Sequence, residues 1–196
     1  MPWTLFETTL GKCGLAWSDA GLTWVQLPER TEAATRARLL AKAADAGPRA
    51  TLESTPAWVT NAIGLAREHL DGRPQDLSAV PLDLSNVTPF VAKVYRALQK
   101  VPPGKTVTYG ELARAVGSAG AARAIGRAMA TNPVPIFVPC QRVLAAGGKS
   151  GGFSAYGGVV TKERMLALEG AASRALPLFA ATDHARVPPR TRRGSP

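Results

Sequence analysis

The sequence predicts an α+β protein: a small amino-terminal antiparallel β-sheet with helices, followed by a mainly helical carboxy-terminal part containing a helix-turn-helix. Three observations carry that prediction. Short β-favouring runs broken by glycine turns fill the first part of the chain. Apolar residues at helical spacing take over after Thr88. Two short helical patterns are joined by a glycine-containing turn between Thr108 and Ala130. With 196 residues, 45% of them hydrophobic and 19% charged, the chain can bury a core as one ordinary domain or two small ones.

Trp3 to Thr9 is an apolar, β-favouring run, and Gly11-Lys12-Cys13-Gly14 reads as a turn that places Cys13 at a hairpin tip. Leu15-Ala16-Trp17 follows, then a second turn at Ser18–Gly21, then Leu22–Leu27, which Pro28 stops. Three short strands on tight turns predict an antiparallel meander. Residues 32–45, rich in Ala, Arg and Leu, read as a helix ending near Gly47-Pro48. A second helix is expected from Ala57 to Leu70, closed by Asp71-Gly72-Arg73-Pro74, with His69 simply ending it. Pro81-Leu82-Asp83-Leu84 suits one more short strand. Residues 1–85 are taken as one domain, a scaffold without chemistry of its own.

Phe90, Val94, Leu98 and Val101 recur at helical spacing on a helix that Pro102-Pro103-Gly104 terminates. Thr108-Tyr109-Gly110-Glu111 has the capping-box pattern, in which the hydroxyl caps the third amide and the carboxylate reaches back. It opens a helix expected over Glu111–Val116, ended by Gly117. Ser118 is expected to cap the next helix, which runs through Ala130 with Ile125 and Met129 facing inward. Arg123 and Arg127 are four apart and share one face. Three prolines between Asn132 and Cys140 predict a stiff, extended segment that carries Cys140 to a set place. A Gly-rich loop spans Gly147–Gly152, and Thr161–Glu169 reads as the last helix of a second domain, residues 86–171. Residues 172–196, rich in proline and arginine, are expected to form a disordered basic tail.

The net charge is +10, of which four units fall beyond residue 171. The remaining excess still favours a polyanionic partner, nucleic acid first. No apolar run reaches about eighteen residues, so no membrane span is expected. The start, Met1-Pro2-Trp3-Thr4, lacks the pattern of a secretion signal. Two distant cysteines form no disulfide framework, and a cytoplasmic protein is expected, nucleoid-associated if bacterial. Gly148-Lys149-Ser150 fails as a phosphate loop because Val143 stands where that loop requires glycine. His69 and His184 have no ligands at useful spacing, so no metal is expected. No Gly-x-Ser-x-Gly elbow is present either.

Several ordered segments then become specific. Thr108-Tyr109-Gly110-Glu111-Leu112-Ala113, Ala121-Ala122-Arg123-Ala124-Ile125-Gly126, Asn132-Pro133-Val134-Pro135-Ile136, and Pro139-Cys140-x-Arg142-Val143 follow one another. Gly151-Gly152-Phe153-Ser154-Ala155-Tyr156-Gly157-Gly158 and Lys162 through Glu169 continue the series. In order and spacing they resemble the catalytic domain of the O6-alkylguanine-DNA alkyltransferases. Thr9-Leu10-Gly11 and Gly14–Trp17 resemble that family's smaller domain, which implies an RNase H-like amino-terminal half.

The resemblance implies a monomer that acts on double-stranded DNA containing O6-alkylguanine, with O4-alkylthymine as a second candidate. It needs no cofactor, since the alkyl acceptor is the protein itself. Cys140 would take the alkyl group in one irreversible turnover, from a nucleotide rotated out of the duplex. Arg123 would fill the vacated place in the stack, with small Ala121, Ala122 and Ala124 permitting close approach and Arg127 beside it. Tyr109 would help rotate the nucleotide and donate towards guanine N3, Asn132 would brace the active-site turn, and Glu169 would end a proton relay. Pro135, Val143, Ser154, Ala155 and Tyr156 would line the pocket, Tyr156 standing where a smaller residue or His is common.

Gln141 departs from the pattern, because the family usually carries His directly after the reactive cysteine. A neutral amide can hold a water but stores no proton near neutral pH. Either transfer proceeds with Gln141 as a placeholder, or the protein binds the lesion with little transfer, as the alkyltransferase-like proteins do. Those proteins lack the cysteine that is present here. A reading from another class is a helix-turn-helix regulator without chemistry, which would leave the proline-borne cysteine and Glu169 unexplained.

Overall fold

The computed structural model describes residues 1–43, 47–51 and 53–171, so the basic tail and His184 lie outside the described residues. Strands β1 (Trp3–Thr8), β2 (Gly11–Ser18) and β3 (Gly21–Gln26) form an antiparallel sheet in the order β1-β2-β3. Thr8 pairs with Gly11 and Trp3 with Ala16, so only Thr9 and Leu10 turn the first hairpin. The expected turn at Gly11–Gly14 is therefore strand. The Thr8 hydroxyl accepts from the Leu10 amide and donates to the Gly11 carbonyl, which closes the turn earlier. Gly14 is there for packing: a β-carbon on it would lie 2.8 Å from Leu39 Cδ2 of the helix above.

Alternation along β2 explains how both faces of this small sheet are covered. Cys13, Leu15 and Trp17 enter the main core, while Ala16 packs with Trp3, Leu39 and Ala43. Helix α1 (Glu32–Lys42), capped by Thr31, supplies Leu39. Helix α2 (Ala57–Leu70) has the bounds its sequence predicts and buries Val59, Ala62, Ala66 and Leu70. The short strand expected at Pro81–Leu84 is reduced to one parallel bridge, Leu22 to Leu82. It runs so close to β3 that a β-carbon at Gly21 would lie 2.6 Å from the Pro81 carbonyl.

In the carboxy-terminal half, α3 (Pro89–Gln99) starts at the Thr88 cap and buries Val94, Tyr95 and Leu98. The Tyr95 hydroxyl donates to the Ala128 carbonyl at 2.8 Å, joining α3 to α5 (Ala122–Ala130). Between them lies α4 (Tyr109–Ala115), which starts two residues earlier than expected and has the full Thr108–Glu111 capping box. Ser118 does not cap α5 with its hydroxyl. Its carbonyl takes the Ala121 amide in a turn, and α5 begins without a side-chain cap. Ile125, Ala128 and Met129 face the core, and Arg123 and Arg127 are exposed. Strand β4 (Val107–Thr108) pairs in parallel with β5 (Val143–Leu144), a crossover that brings the segment after Cys140 against the start of α4. Helix α6 (Val159–Leu168) ends on Glu169 as its C-cap.

The segment from Asn132 to Cys140 is coiled through successive turns and not extended as expected. The Val138 amide reaches back to the Val134 carbonyl at 2.9 Å. Ile136 adopts φ 77°, a left-handed conformation costly for a β-branched residue, by about 1–2 kcal/mol. Burial of Val134, Ile136, Phe137 and Val138 in the core offsets that strain. Three prolines restrict the chain; packing of the apolar residues between them decides its path.

The halves touch at several points. The Val25 amide donates to the Pro133 carbonyl at 2.7 Å, and Arg164 Nη2 donates to the Thr9 carbonyl at 2.6 Å. Among the described residues no helix is long and apolar enough to cross a membrane.

Candidate active site

Cys140 opens a single 3-10 turn, Cys140–Arg142, directly after Pro139. Asn132 ties this turn to the end of α5. Its Nδ2 donates to the Val138 carbonyl at 2.8 Å, and its Oδ1 accepts the Val134 amide at 3.1 Å. One side chain thus satisfies the Val134 amide, which the coiled segment would otherwise bury unpaired, and adds a second donor to the Val138 carbonyl, which also accepts the Cys140 amide at 2.8 Å.

The thiol is 6% exposed and stands at the junction of two adjoining cavities, of about 350 and about 330 Å³. Met129, Ala130, Phe153 and Ser154 line both. Tyr109, Gly126 and Gly152 complete the second; Trp24 to Leu27, Arg38, Lys42, Asn132, Pro135 and Ala155 join the first. Burial pushes the thiol above its ordinary value. The Asn132 amide, the Lys162 charge and the backbone amides of residues 140 and 141 pull the other way by favouring thiolate. Lys162 is itself buried, with Nζ donating to the Val143 carbonyl at 2.7 Å, and burial lowers its pKa. Cys13 offers a contrast: in mid-strand, burial raises its pKa to about 12, so it is an inert structural thiol.

Beside the thiol lies a buried carboxylate network. Glu169 Oε2 accepts Arg142 Nε at 2.8 Å. Its Oε1 accepts Gln141 Nε2 at 2.6 Å, His69 Nε2 at 3.0 Å and Arg142 Nη2 at 3.1 Å. Arg142 Nη1 donates to the Val101 carbonyl. Burial opposes ionisation of Glu169, but the hydrogen bond from His69, then Arg142 and Gln141, together hold its carboxyl below the usual carboxylate range. Gln141 is wholly buried, and its Oε1 has no hydrogen-bond partner among the described residues.

The site residues expected from the sequence divide into two groups. Cys140, Gln141, Glu169, Asn132 and Tyr109 come together, and Pro135, Ser154 and Ala155 line a cavity. Gly151 lies against Tyr109, where a β-carbon would meet the phenol oxygen at 3.0 Å. Burial, with the Cys140 thiolate adding to it, raises that phenol's pKa. Val143 does not line either cavity: it is buried in β5, paired with Val107. Tyr156 is 53% exposed and also lies outside both linings, because the turn before α6 directs it to solvent. Arg123 and Arg127 lie on the exposed face of α5, with half-buried Ala121 and Ala122 at its start, and Gly126, Met129 and Ala130 of α5 line the cavity.

Sequence reasoning missed His69, Lys162, Met129, Phe153 and the contribution of β3 and α1. Lys162 could have been found, since it lies two helical turns before Glu169 and so on the same side of α6. His69 could not, because its partner is 100 residues away. Among the described residues, no three His, Cys, Asp or Glu side chains gather where they could hold a metal.

Residues 89–171 match the family model described as 6-O-methylguanine DNA methyltransferase, DNA binding domain. A methylated-DNA–protein-cysteine methyltransferase of Mycolicibacterium paratuberculosis is 48% identical over 90 residues, 46% of this chain; the chain spans about half that relative's length, 53%. One from Methanothermobacter thermautotrophicus is 31% identical over 157 residues, covering 80% of this chain and 78% of the relative. Among solved structures, Mycobacterium tuberculosis OGT in complex with DNA is similar with a TM-score of 0.67 and 31% identity, over 89% of this chain and 95% of that one. The O6-methylguanine-DNA methyltransferase of Pyrococcus kodakaraensis shares the fold, with a TM-score of 0.65, 24% identity, and coverage of 86% and 99%.

Proposed function

The chain belongs to the 6-O-methylguanine DNA methyltransferase family, and from that premise we propose that it repairs alkylated guanine in DNA by taking the alkyl group onto Cys140. The observation that carries this reading is the placement of Cys140: a buried thiol at the junction of two cavities, framed by Tyr109, Asn132 and Ser154 and adjoining the arginine-bearing helix α5. The sulfur forms a bond to the alkyl carbon while the carbon–O6 bond breaks. Guanine leaves with the electron pair and regains a proton on its ring, and the thiol gives one up, so the protein is consumed once per lesion.

The target carbon is unreachable inside a duplex, so the nucleotide must rotate into the cavity. We read α4 and α5 as a helix-turn-helix whose exposed Arg123 fills the gap in the stack, with Arg127 and the small start of α5 close to the backbone. Tyr109, which lines the second cavity, is placed to donate to the guanine ring, and burial keeps its phenol protonated for that task. Asn132 holds the Cys140 turn in place. Gln141 occupies the position that family resemblance gives to histidine: it can accept a hydrogen bond at Oε1 but cannot carry a proton. We further read the amino-terminal part, to about residue 85, as an RNase H-like domain, and the protein as a cytoplasmic monomer.

A second reading, lesion binding with slow transfer, is favoured by one observation: the Glu169 carboxylate already accepts four donor groups and is a poor proton acceptor. Intact-mass measurement after mixing with a duplex containing O6-methylguanine separates the two. One methyl on the Cys140 peptide, absent from Cys140→Ser, is the expected outcome. Tight binding without any mass change would leave a lesion sensor.

A further inference from the structure

We propose that His69, on the amino-terminal half, is a positioning residue for alkyl transfer: as a neutral imidazole it donates from Nε2 to Glu169 and so sets the carboxylate that orients Gln141. This inference rests on the transfer reading above. His69 sits in the last turn of α2 and is 1% exposed. Its two ring nitrogens have opposite duties. Nδ1 accepts the backbone amide of Gln75 at 3.1 Å, so it must carry a lone pair. The ring proton is thereby placed on Nε2, which faces Glu169 Oε1 at 3.0 Å. A second proton would sit on Nδ1, pointing at the Gln75 amide. The surroundings thus select one neutral tautomer and leave the ring no free lone pair, so His69 is a donor and not the site's base.

The charged groups facing Glu169 are few. Arg142 forks across both oxygens from the Cys140 turn, and Asp76 acts at longer range on Arg142. Arg142 and Glu169 cancel, leaving a buried cluster with no net charge when His69 is neutral. His69 and Gln141 donate to the same oxygen, Oε1, from opposite halves of the molecule. An acceptor-only carboxylate there forces Gln141 to present its NH₂ to Glu169 and leaves the amide oxygen free. Of the hydrogen bonds that favour ionisation of Glu169, the one from His69 is the largest. The imidazole that the family resemblance puts beside the thiol is thus replaced here by an imidazole on the far side of the carboxylate, with a different task.

The test compares His69→Phe, a ring without a donor, with His69→Gln, whose amide can donate from the Nε2 position. Single-turnover methyl transfer from O6-methylguanine duplex gives an amplitude, which counts folded protein, and a rate constant, which reports chemistry. His69→Phe should lower the rate constant at least about tenfold and move upward the acid limb set by Glu169, which lies below the thiol-governed rise near neutral pH, since Glu169 loses a donor and its pKa rises. His69→Gln should recover the rate to within about threefold of the native protein and return the acid limb. A reduced amplitude with native rate and native pH profile in His69→Phe would make His69 merely structural and overturn the proposal. His69→Gln as slow as His69→Phe would make the imidazole a base and overturn it equally. Should the native protein transfer nothing, the functional reading fails, and the ¹³C titration of the Glu169 carboxyl decides the His69 assignment independently: it should move upward in His69→Phe, and an unmoved titration overturns the tie.

Discussion

At the scale of single residues, Cys140 sits between opposing demands. Burial keeps its thiol protonated, whereas Asn132, Lys162 and two backbone amides favour the thiolate. Burial prevails, so the raised pKa leaves thiolate scarce at neutral pH and its fraction grows as pH rises. Transfer is therefore expected to speed up by about tenfold per pH unit between roughly pH 6.5 and 8. A rate flat across that range would mean that the site removes the proton internally. Gln141→His supplies a group that can hold a proton while keeping an N–H aimed at Glu169, which Gln141 Nε2 now reaches at 2.6 Å. That variant should transfer faster at neutral pH and with a shallower pH dependence. An unchanged or slower single-turnover rate would count against a relay through position 141.

At the scale of elements, the turn holding Cys140 depends on Asn132 more than on its three prolines. Removing the amide strands the Val134 amide, in a fully buried residue, and takes one of two donors from the Val138 carbonyl, which keeps the Cys140 amide at 2.8 Å. With roughly 1–3 kcal/mol for one orphaned buried amide, Asn132→Ala should lose about 1–3 kcal/mol of stability in urea unfolding. It should also slow transfer in the protein that remains folded, because Ile136 and its neighbours no longer hold Cys140 at the cavity junction. Lost stability with an undiminished rate would show that the core packing of residues 134–138 positions the thiol alone. The bracing and the strain at Ile136 belong together: the left-handed residue turns the chain back, and Asn132 bonds the two sides of that turn.

At the scale of the whole molecule, charge and the contact between halves dominate. The chain carries a net +10, and Arg123 and Arg127 are exposed on α5. Duplex binding should therefore weaken with salt, by at least about tenfold between roughly 50 and 200 mM, since phosphate contacts release counterions. A salt-insensitive affinity measured by fluorescence anisotropy would point to recognition without phosphate contacts. The amino-terminal half, which the sequence reads as scaffold, provides part of a cavity wall through Trp24 to Leu27 and the His69 contact to Glu169.

The sequence by itself determined what rests on short-range signals. The bounds of α2, the Thr108–Glu111 capping box, the inward face of α5 and the ordered segments that single out Cys140 all depend on residues within a few turns of one another. Glycine was ambiguous, because it marks a turn and a close approach alike; at Gly14 the second applied, and Cys13 became mid-strand. Only the tertiary structure decided the pairing of Val107 with Val143, the coiling of Asn132–Cys140, the solvent-facing Tyr156 and the meeting of His69 with Glu169. Each of these depends on which distant surfaces bury one another, and no local propensity encodes which distant residue will supply the partner.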